Sequence, residues 1–440
     1  MLLYTSGSTG VPKGVMIEHQ NIVAFTDWYR EYYELKPEHN VAAYASFGFD
    51  ANMMDLYPTL TTGATVHIIP EEIRLDLVAL NDYFEANNIT HGLITTQVGV
   101  QFMQNTDNHS LKHLSVGGEK LVSVDPPKGY TFHNAYGPTE CTIISTIMPV
   151  KKREANIPIG KPTSMLKCYV MDKQMHRLPV GAAGELIIVG KQVGRGYLNR
   201  PDKTAEAFFT MDGERAYHSG DIVRYRKDGK IEFVGRRDGQ VKIRGFRIEL
   251  KEVETVIRDF EGIKDVTVQA FDDANGGKFI AAYIVSDDTI DIEALNDFIL
   301  DQKPPYMVPA VTMQIEKIPL NVNQKVDKKA LPKPERQAPT NEGTATANAP
   351  LNAFEKELKA IIASVVNTED FGITDVLGFV GLTSISGIKL ATLIYKKYGV
   401  QINAKTLAKT GTLQSIENEI LIHWMEGRNE NKNETLRYED

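Results

Sequence analysis

Short apolar runs alternate with helical spacing through the first third of the chain. Residues 41–45, 64–69 and 91–94 are continuous apolar stretches of strand length. Between the second and third, residues 75–87 place Leu77, Leu80, Tyr83 and Phe84 on one helical face. This alternation predicts an α/β sheet with helices packed on its faces. From about residue 157 to 234 the texture changes. Residues 166–171, 184–189 and 231–234 are β-rich runs cut by Gly/Pro turns, which predicts a small antiparallel or barrel-like unit. A third unit, about 239–331, carries strand-like runs at 266–271 and 279–285 between helical stretches, a small α+β pattern.

Residues 332–350 contain several prolines and almost no apolar bulk, so they cannot offset the entropy of ordering and are expected to form a mobile linker. Beyond them, Leu351, Phe354, Leu358, Ile361, Ile362 and Val365 share a helical face. Ile385, Ile388, Leu393 and Ile394 predict another helix, ended by Gly399, and Leu413, Ile416, Ile420 and Trp424 a last one. The expected layout is therefore 1–238, 239–331, a linker at 332–350, a helical bundle at 351–425 and a frayed polar tail at 426–440.

Bulk composition narrows the classes. The 440 residues are 42% hydrophobic and 24% charged, ordinary for a soluble globular chain. Forty-nine Lys and Arg against 57 Asp and Glu give a net charge of −8, which argues against a general nucleic-acid surface. Two cysteines lack disulfide or metal-ligand spacing, and no run reaches membrane-span length, so a cytoplasmic protein is expected.

The strongest chemical signal is Tyr4-Thr5-Ser6-Gly7-Ser8-Thr9-Gly10-Val11-Pro12-Lys13-Gly14. Such a loop offers backbone N–H groups and hydroxyls to one compact anion, and Lys13 adds a mobile positive charge. The order Pro-Lys-Gly, without Gly-Lys-Ser/Thr, excludes a Walker P-loop. The string resembles the phosphate loop of the adenylate-forming superfamily: acyl-CoA synthetases, luciferases and peptide-synthetase adenylation domains. By that resemblance Thr5, Ser6, Gly7, Ser8, Thr9, Gly10 and Lys13 bind the nucleotide phosphates. In that family much of the first subdomain precedes the loop, so this chain is expected to be N-terminally truncated and to hold only part of the large subdomain.

Further motifs follow in family order. Asn134-Ala135-Tyr136-Gly137-Pro138-Thr139-Glu140 resembles the nucleotide motif, which implies adenine stacking on Tyr136, phosphate contact by Thr139 and Mg²⁺ on Glu140. Tyr217-His218-Ser219-Gly220-Asp221 implies that Asp221 accepts from the ribose hydroxyls, with Arg236 also on the nucleotide side. Residues 235–249 resemble the interdomain hinge, with Asp238 at its pivot. Asn323-Gln324-Lys325-Val326-Asp327 resembles the last family motif, with Gln324 where glycine is usual; Lys325 is the implied catalytic lysine, beside Glu140 and Thr139. Gly184-Glu185-Leu186 and Gly194-Arg195-Gly196-Tyr197 also match and are read as mostly structural.

Two constellations set the branch. Val380-Gly381-Leu382-Thr383-Ser384 resembles a peptidyl carrier's attachment sequence, which implies 4′-phosphopantetheine on Ser384; Ser386 is the neighbouring hydroxyl that could be confused with it. Asp50, after Phe49, matches the aspartate that pairs with an amino acid's α-ammonium. The motif alignment puts Ala51, Met54, Leu93, Ser115, Gly117, Ala135, Ile143 and Ile144 around the side chain, a lining whose only polar member is Ser115 and which suits Leu, Val, Ile, Phe or Tyr. The resemblance as a whole implies part of a nonribosomal peptide synthetase: an adenylation domain (α/β with a β-rich unit and a small α+β subdomain) and an all-α four-helix carrier bundle. Implied partners are ATP, an apolar amino acid, a phosphopantetheinyl transferase, and neighbouring condensation or release domains. Two alternatives stay open: an adenylation-inactive fragment serving as carrier or interaction unit, and an acyl or aryl acid ligase.

Overall fold

The structure is a computed structural model that describes all residues except 6–11, 238–239, 244–245, 273–277, 321–325, 335–350, 367 and 436–440; the side chains of 247, 379, 384, 385, 405 and 425–435 are also left undescribed. The chain divides into two compact units. Met1–Ile69, Tyr83–Met103 and Asn108–Pro334 make the first, and Pro70–Asp82, Gln104–Asp107 and Glu335–Asp440 the second.

The main sheet of the first unit has seven strands in the spatial order Thr65–Ile68, Asn40–Ala43, His91–Thr95, His113–Gly117, Thr131–Tyr136, Thr146–Pro149, Lys161–Pro162. The first five pair in parallel, and the last two pairings are antiparallel, so Thr146–Pro149 alone runs against the rest. The apolar runs read from sequence fall on these strands within two residues. In such open sheets ligands bind beyond the carboxyl ends of the parallel strands, where Gly117 and Tyr136 lie.

Leu2–Thr5 and Lys13–Met16 pair as an antiparallel hairpin around the phosphate loop, and Gly196–Tyr197 adds to its edge. The β-rich region forms a five-stranded antiparallel sheet of Leu166–Met171, Ala183–Gly190, Glu214–Tyr225, Phe208–Met211 and Ile231–Arg236. Asp265–Asp272, Lys278–Val285 and Val311–Gln314 form a further sheet, whose core is shared with the helices Leu250–Arg258 and Ile292–Gln302. Residues 239–331, expected as a small α+β subdomain, fall within the first compact unit. Its leading hairpin, Val241–Ile243 with Phe246–Ile248, packs at the main sheet's carboxyl edge, where the Phe246 and Phe49 ring centroids are 5.2 Å apart.

A file of histidine rings crosses the amino-terminal ends of the central strands. Centroids are separated by 4.8 Å from His39 to His91, 5.1 Å from His91 to His113 and 5.3 Å from His113 to His133. Nδ1 of His113 meets Nε2 of His133 at 3.0 Å, and Tyr32 caps the file at 3.2 Å from His133 Nδ1. Nothing in the sequence pattern signals this file, because sheet register brings together residues far apart in the chain.

In the second unit, Ala353–Val366, Leu377–Val380, Ser384–Tyr398, Ala404–Thr410 and Leu413–Thr435 are helical, five helices among the described residues where four were expected. The additional one, Leu377–Val380, is too short to show periodicity and is stopped by Gly381 at φ 115. The core joins Leu358, Ile362, Leu390, Ile394, Leu413, Ile416 and Ile420, as the apolar spacing predicts. The last helix runs on to Thr435, through part of the stretch expected as a polar tail. Most of the expected linker, 335–350, lies outside the described residues. Among the described residues no helix is long and apolar enough to cross a membrane.

Candidate active site and carrier

The nucleotide motif is built on the end of the strand Thr131–Tyr136. Gly137 is required there: a Cβ at this position would lie 2.0 Å from the Ile143 carbonyl oxygen. The following turn, Thr139–Cys141, places Glu140 in the interior, where it is fully buried. Tyr197 donates its hydroxyl to Glu140 Oε1 at 2.7 Å, and the Lys13 ammonium lies 4.7 Å from the centre of the same tyrosine ring. Gly194 donates its backbone N–H to the Glu140 carbonyl at 2.8 Å. The stretch read as mostly structural therefore touches the site directly. A carboxylate beside the phosphate-loop hairpin is a donor that suits Mg²⁺ when phosphate oxygens complete the shell. Thr5, at the loop's entry, has a buried hydroxyl with no hydrogen-bond partner among the described residues, a group a phosphate oxygen could satisfy. Ser6, Gly7, Ser8, Thr9 and Gly10 lie outside the described residues.

Tyr136 donates its hydroxyl to the Asp221 carboxylate, and Arg236 Nη1 reaches Asp221 Oδ1 at 2.7 Å and the Ser219 carbonyl at 3.2 Å. Burial, followed by the Asp221 charge, pushes the Tyr136 phenol well above its usual range. The register of Glu214–Tyr225 against Ile231–Arg236 puts Asp221 directly opposite Arg236. These residues line a cleft of about 560 Å³ that also takes in Ala135, Phe233 and Lys242. Lys242 Nζ sits 5.9 Å from the Tyr136 ring centre.

Asp50 precedes the helix Ala51–Thr62 and accepts a hydrogen bond from Thr139 Oγ1 at 2.6 Å. Thr139, expected on phosphate, is turned to the Asp50 carboxylate. Burial lifts the Asp50 carboxyl above its usual range, while the Thr139 bond and the Lys242 charge pull it back down. The pocket positions converge. Met54, Leu93, Ala135, Ile143 and Ile144 share one buried cluster with Ala51 packed against it. Ser115 joins it through a 2.7 Å hydrogen bond to Tyr33, and Gly117 backs onto the Ala135 carbonyl, 2.9 Å from where a Cβ would be.

Asp238 and Lys325, expected as hinge and catalytic lysine, lie outside the described residues. Near them, Arg237 pairs with Glu185 at 3.0 Å, and the Asp327 N–H donates to the Pro319 carbonyl at 2.8 Å. In the helical unit Ser384 is the first residue of its helix. Thr383 is the N-cap and forms a capping box with Ser386. The Ser386 hydroxyl is buried and accepts from the Thr383 N–H at 2.7 Å.

Two family models match the chain. The model of the AMP-binding enzyme family matches residues 1–198, and that of the phosphopantetheine attachment site matches 356–420. The chain carries an adenylation domain followed by a carrier domain. It is 39% identical over 418 residues to bacitracin synthase 1 of Bacillus licheniformis and 40% identical over 418 residues to surfactin synthase subunit 2 of Bacillus subtilis. Each match takes in 94% of this chain but only 8% and 11% of the relatives, so the chain spans about a tenth of their length. An adenylation domain of Vibrio cholerae solved with glycyl-adenosine-5′-phosphate superposes at a TM-score of 0.65 with 27% identity, over 74% of this chain and 64% of that one. A nonribosomal peptide synthetase protein containing adenylation and PCP domains shares the fold at a TM-score of 0.70 with 22% identity, over 94% of this chain and 73% of that one.

Proposed function

We propose that the adenylation domain activates an apolar amino acid with ATP as aminoacyl-AMP and transfers it to its own carrier domain. The observation that carries this reading is Asp50, a half-buried carboxylate that accepts from Thr139 of the nucleotide motif and feels the Lys242 charge. An uncompensated charge there is costly, and the α-ammonium of an amino acid would offset it. An acid lacking the amino group would not, which weighs against an acyl or aryl acid ligase. The apolar lining, Met54, Leu93, Ala135, Ile143 and Ile144, supports an apolar side chain. The Vibrio cholerae neighbour, solved with a glycyl adenylate, supports the reaction class.

In this reading Asp50 orients the amino acid so that its carboxylate faces the α-phosphate. Tyr136 and the Asp221–Arg236 pair hold adenosine in the cleft. The phosphate loop and Lys13 grip the departing pyrophosphate, and Lys325 neutralises charge developing between carboxylate and α-phosphate. Mg²⁺ on Glu140 would supply countercharge to the phosphates. Ser384 would hold phosphopantetheine, whose thiol supplies the acceptor for the aminoacyl group; the buried, box-bound Ser386 favours Ser384 as the attachment hydroxyl. Movement about Asp238 would exchange the two half-reactions. A phosphopantetheinyl transferase and neighbouring synthetase domains would be its partners.

Paired variants test this. Lys325→Ala is expected to abolish amino-acid-dependent ATP–pyrophosphate exchange. Ser384→Ala is expected to keep exchange and lose aminoacyl loading, read by intact-protein mass after phosphopantetheinylation. A Ser384→Ala chain that still loads contradicts the assignment.

A further inference from the structure

The turn after the nucleotide motif is held in an unusual backbone conformation. Thr142 has φ 55 and Ile143 φ 74, both in the left-handed region that β-branched residues rarely occupy. Such an arrangement persists only where the surroundings hold it, and it is concentrated at functional sites. Ile143 and Ile144 are buried in the cluster with Met54, Leu93 and Ala135, and in the amino-acid reading above this turn is a wall of the side-chain pocket.

One side chain does most of the holding. Gln192 is fully buried. Its Nε2 donates to the Thr142 carbonyl at 3.2 Å and to the Ile144 carbonyl at 2.9 Å, one on each side of Ile143. Thr142 Oγ1 returns a hydrogen bond to the Gln192 backbone carbonyl at 2.6 Å. Thr163 Oγ1 donates to Gln192 Oε1 at 2.7 Å. Two carbonyls on the nitrogen and a hydroxyl on the oxygen fix the amide's orientation, and neither a carboxylate nor an alkyl chain can reproduce it.

We propose that Gln192 is a positioning residue for substrate selection, clamping the strained Thr142–Ile144 turn so that Ile143 and Ile144 present a fixed pocket wall. It lies 48 residues along the chain from Ile144 and touches the substrate only through that turn. The proposal rests on the amino-acid reading above. A rigid wall separates side chains differing by one methylene by about 10–200-fold, whereas a turn free to relax re-packs around the smaller or larger one.

The test is ATP–pyrophosphate exchange by the full chain with L-phenylalanine, L-leucine, L-isoleucine, L-valine and L-alanine, for the wild type, Gln192→Leu and Thr163→Val. Gln192→Leu is expected to narrow the ratio of kcat/KM between the best substrate and its next smaller homologue by about tenfold. The loss should appear as a higher amino-acid KM, with the KM for ATP within twofold of wild type. Thr163→Val, which frees the amide's orientation and leaves its donors, should move the ratio in the same direction by about threefold. A Gln192→Leu chain that exchanges with the wild-type ratio overturns the proposal. If Gln192→Leu does not fold, an unchanged ratio in Thr163→Val overturns it. A wild-type chain that exchanges with no amino acid contradicts the amino-acid reading itself and the proposal with it, an outcome distinct from a wild type that discriminates and a variant that does so equally well.

Discussion

Thr139 donates its hydroxyl to the Asp50 carboxylate at 2.6 Å, tying the nucleotide motif to the proposed amino-acid anchor by a single hydrogen bond. One residue expected on the phosphate and one expected on the α-ammonium are hydrogen-bonded to each other. In the proposed function, an amino acid bound at Asp50 changes the surroundings of Thr139. The carboxylate is raised above its usual range by burial, so it holds a proton more readily in the folded chain than in the unfolded one. That contribution to stability is present at low pH and is lost as pH rises through the raised value. Asp50→Asn is accordingly expected to raise the Tm of the free chain at pH 7.5 and to weaken amino-acid affinity about a hundredfold. A lower Tm, or unchanged affinity, would contradict this.

The Asp221–Arg236 pair is nearly enclosed, with side-chain exposures of 7% and 13%. Removing one charge leaves the other buried without its counterpart. Asp221→Asn is expected to lower stability by about 3 kcal/mol in urea unfolding and to raise the KM for ATP while the amino-acid KM holds. Equal effects on both KM values would place Asp221 outside the nucleotide site.

Ser384 and Ser386 separate by function and stability. Ser386→Ala removes one side of the capping box and should cost the carrier about 1 kcal/mol while phosphopantetheine attachment continues. Ser384→Ala should leave stability unchanged and abolish attachment. Intact mass after incubation with a phosphopantetheinyl transferase and coenzyme A distinguishes the two, and attachment lost only in Ser386→Ala would reverse the assignment.

The histidine file makes the first unit sensitive to acid. Burial, followed by the charge of the neighbouring His113, holds His91 and His133 each down to about 3, from an ordinary 6.5. The unfolded chain therefore takes up protons that the folded chain refuses. Stability is fully present above about pH 6.5 and falls as pH drops towards 3, by roughly 1.4 kcal/mol per pH unit for each ring. The urea midpoint should decline steadily from pH 6.5 to 4.5, and His133→Gln should flatten that slope. A midpoint constant over this range would contradict the sign.

Local texture carried much of the architecture. The runs at 41–45, 166–171 and 279–285 are strands because apolar residues of strand length are bounded by turns, and the carrier helices follow from their 3.6-residue period. Of the candidate site, the motif string brought out Tyr136 at the end of a strand and Thr139 and Glu140 on the turn that follows. Gln192 and Tyr197 escaped, since each acts through contacts made by residues 48 and 57 positions away in sequence. The histidine file escaped for the same reason: only the register of parallel strands joins His91, His113 and His133. The persistence of the last helix to Thr435 was missed because the sequence from 426 to 435 carries no apolar stripe.

Amino-acid-dependent ATP–pyrophosphate exchange by the purified chain, run over the common amino acids and their desamino acids, tests the central claim most directly. The account predicts exchange driven by one or a few apolar amino acids, lost in Asp50→Asn, and no exchange with the matching acids that lack the amino group. Exchange driven equally by a desamino acid, or absent with every amino acid while Ser384 still accepts phosphopantetheine, would contradict it.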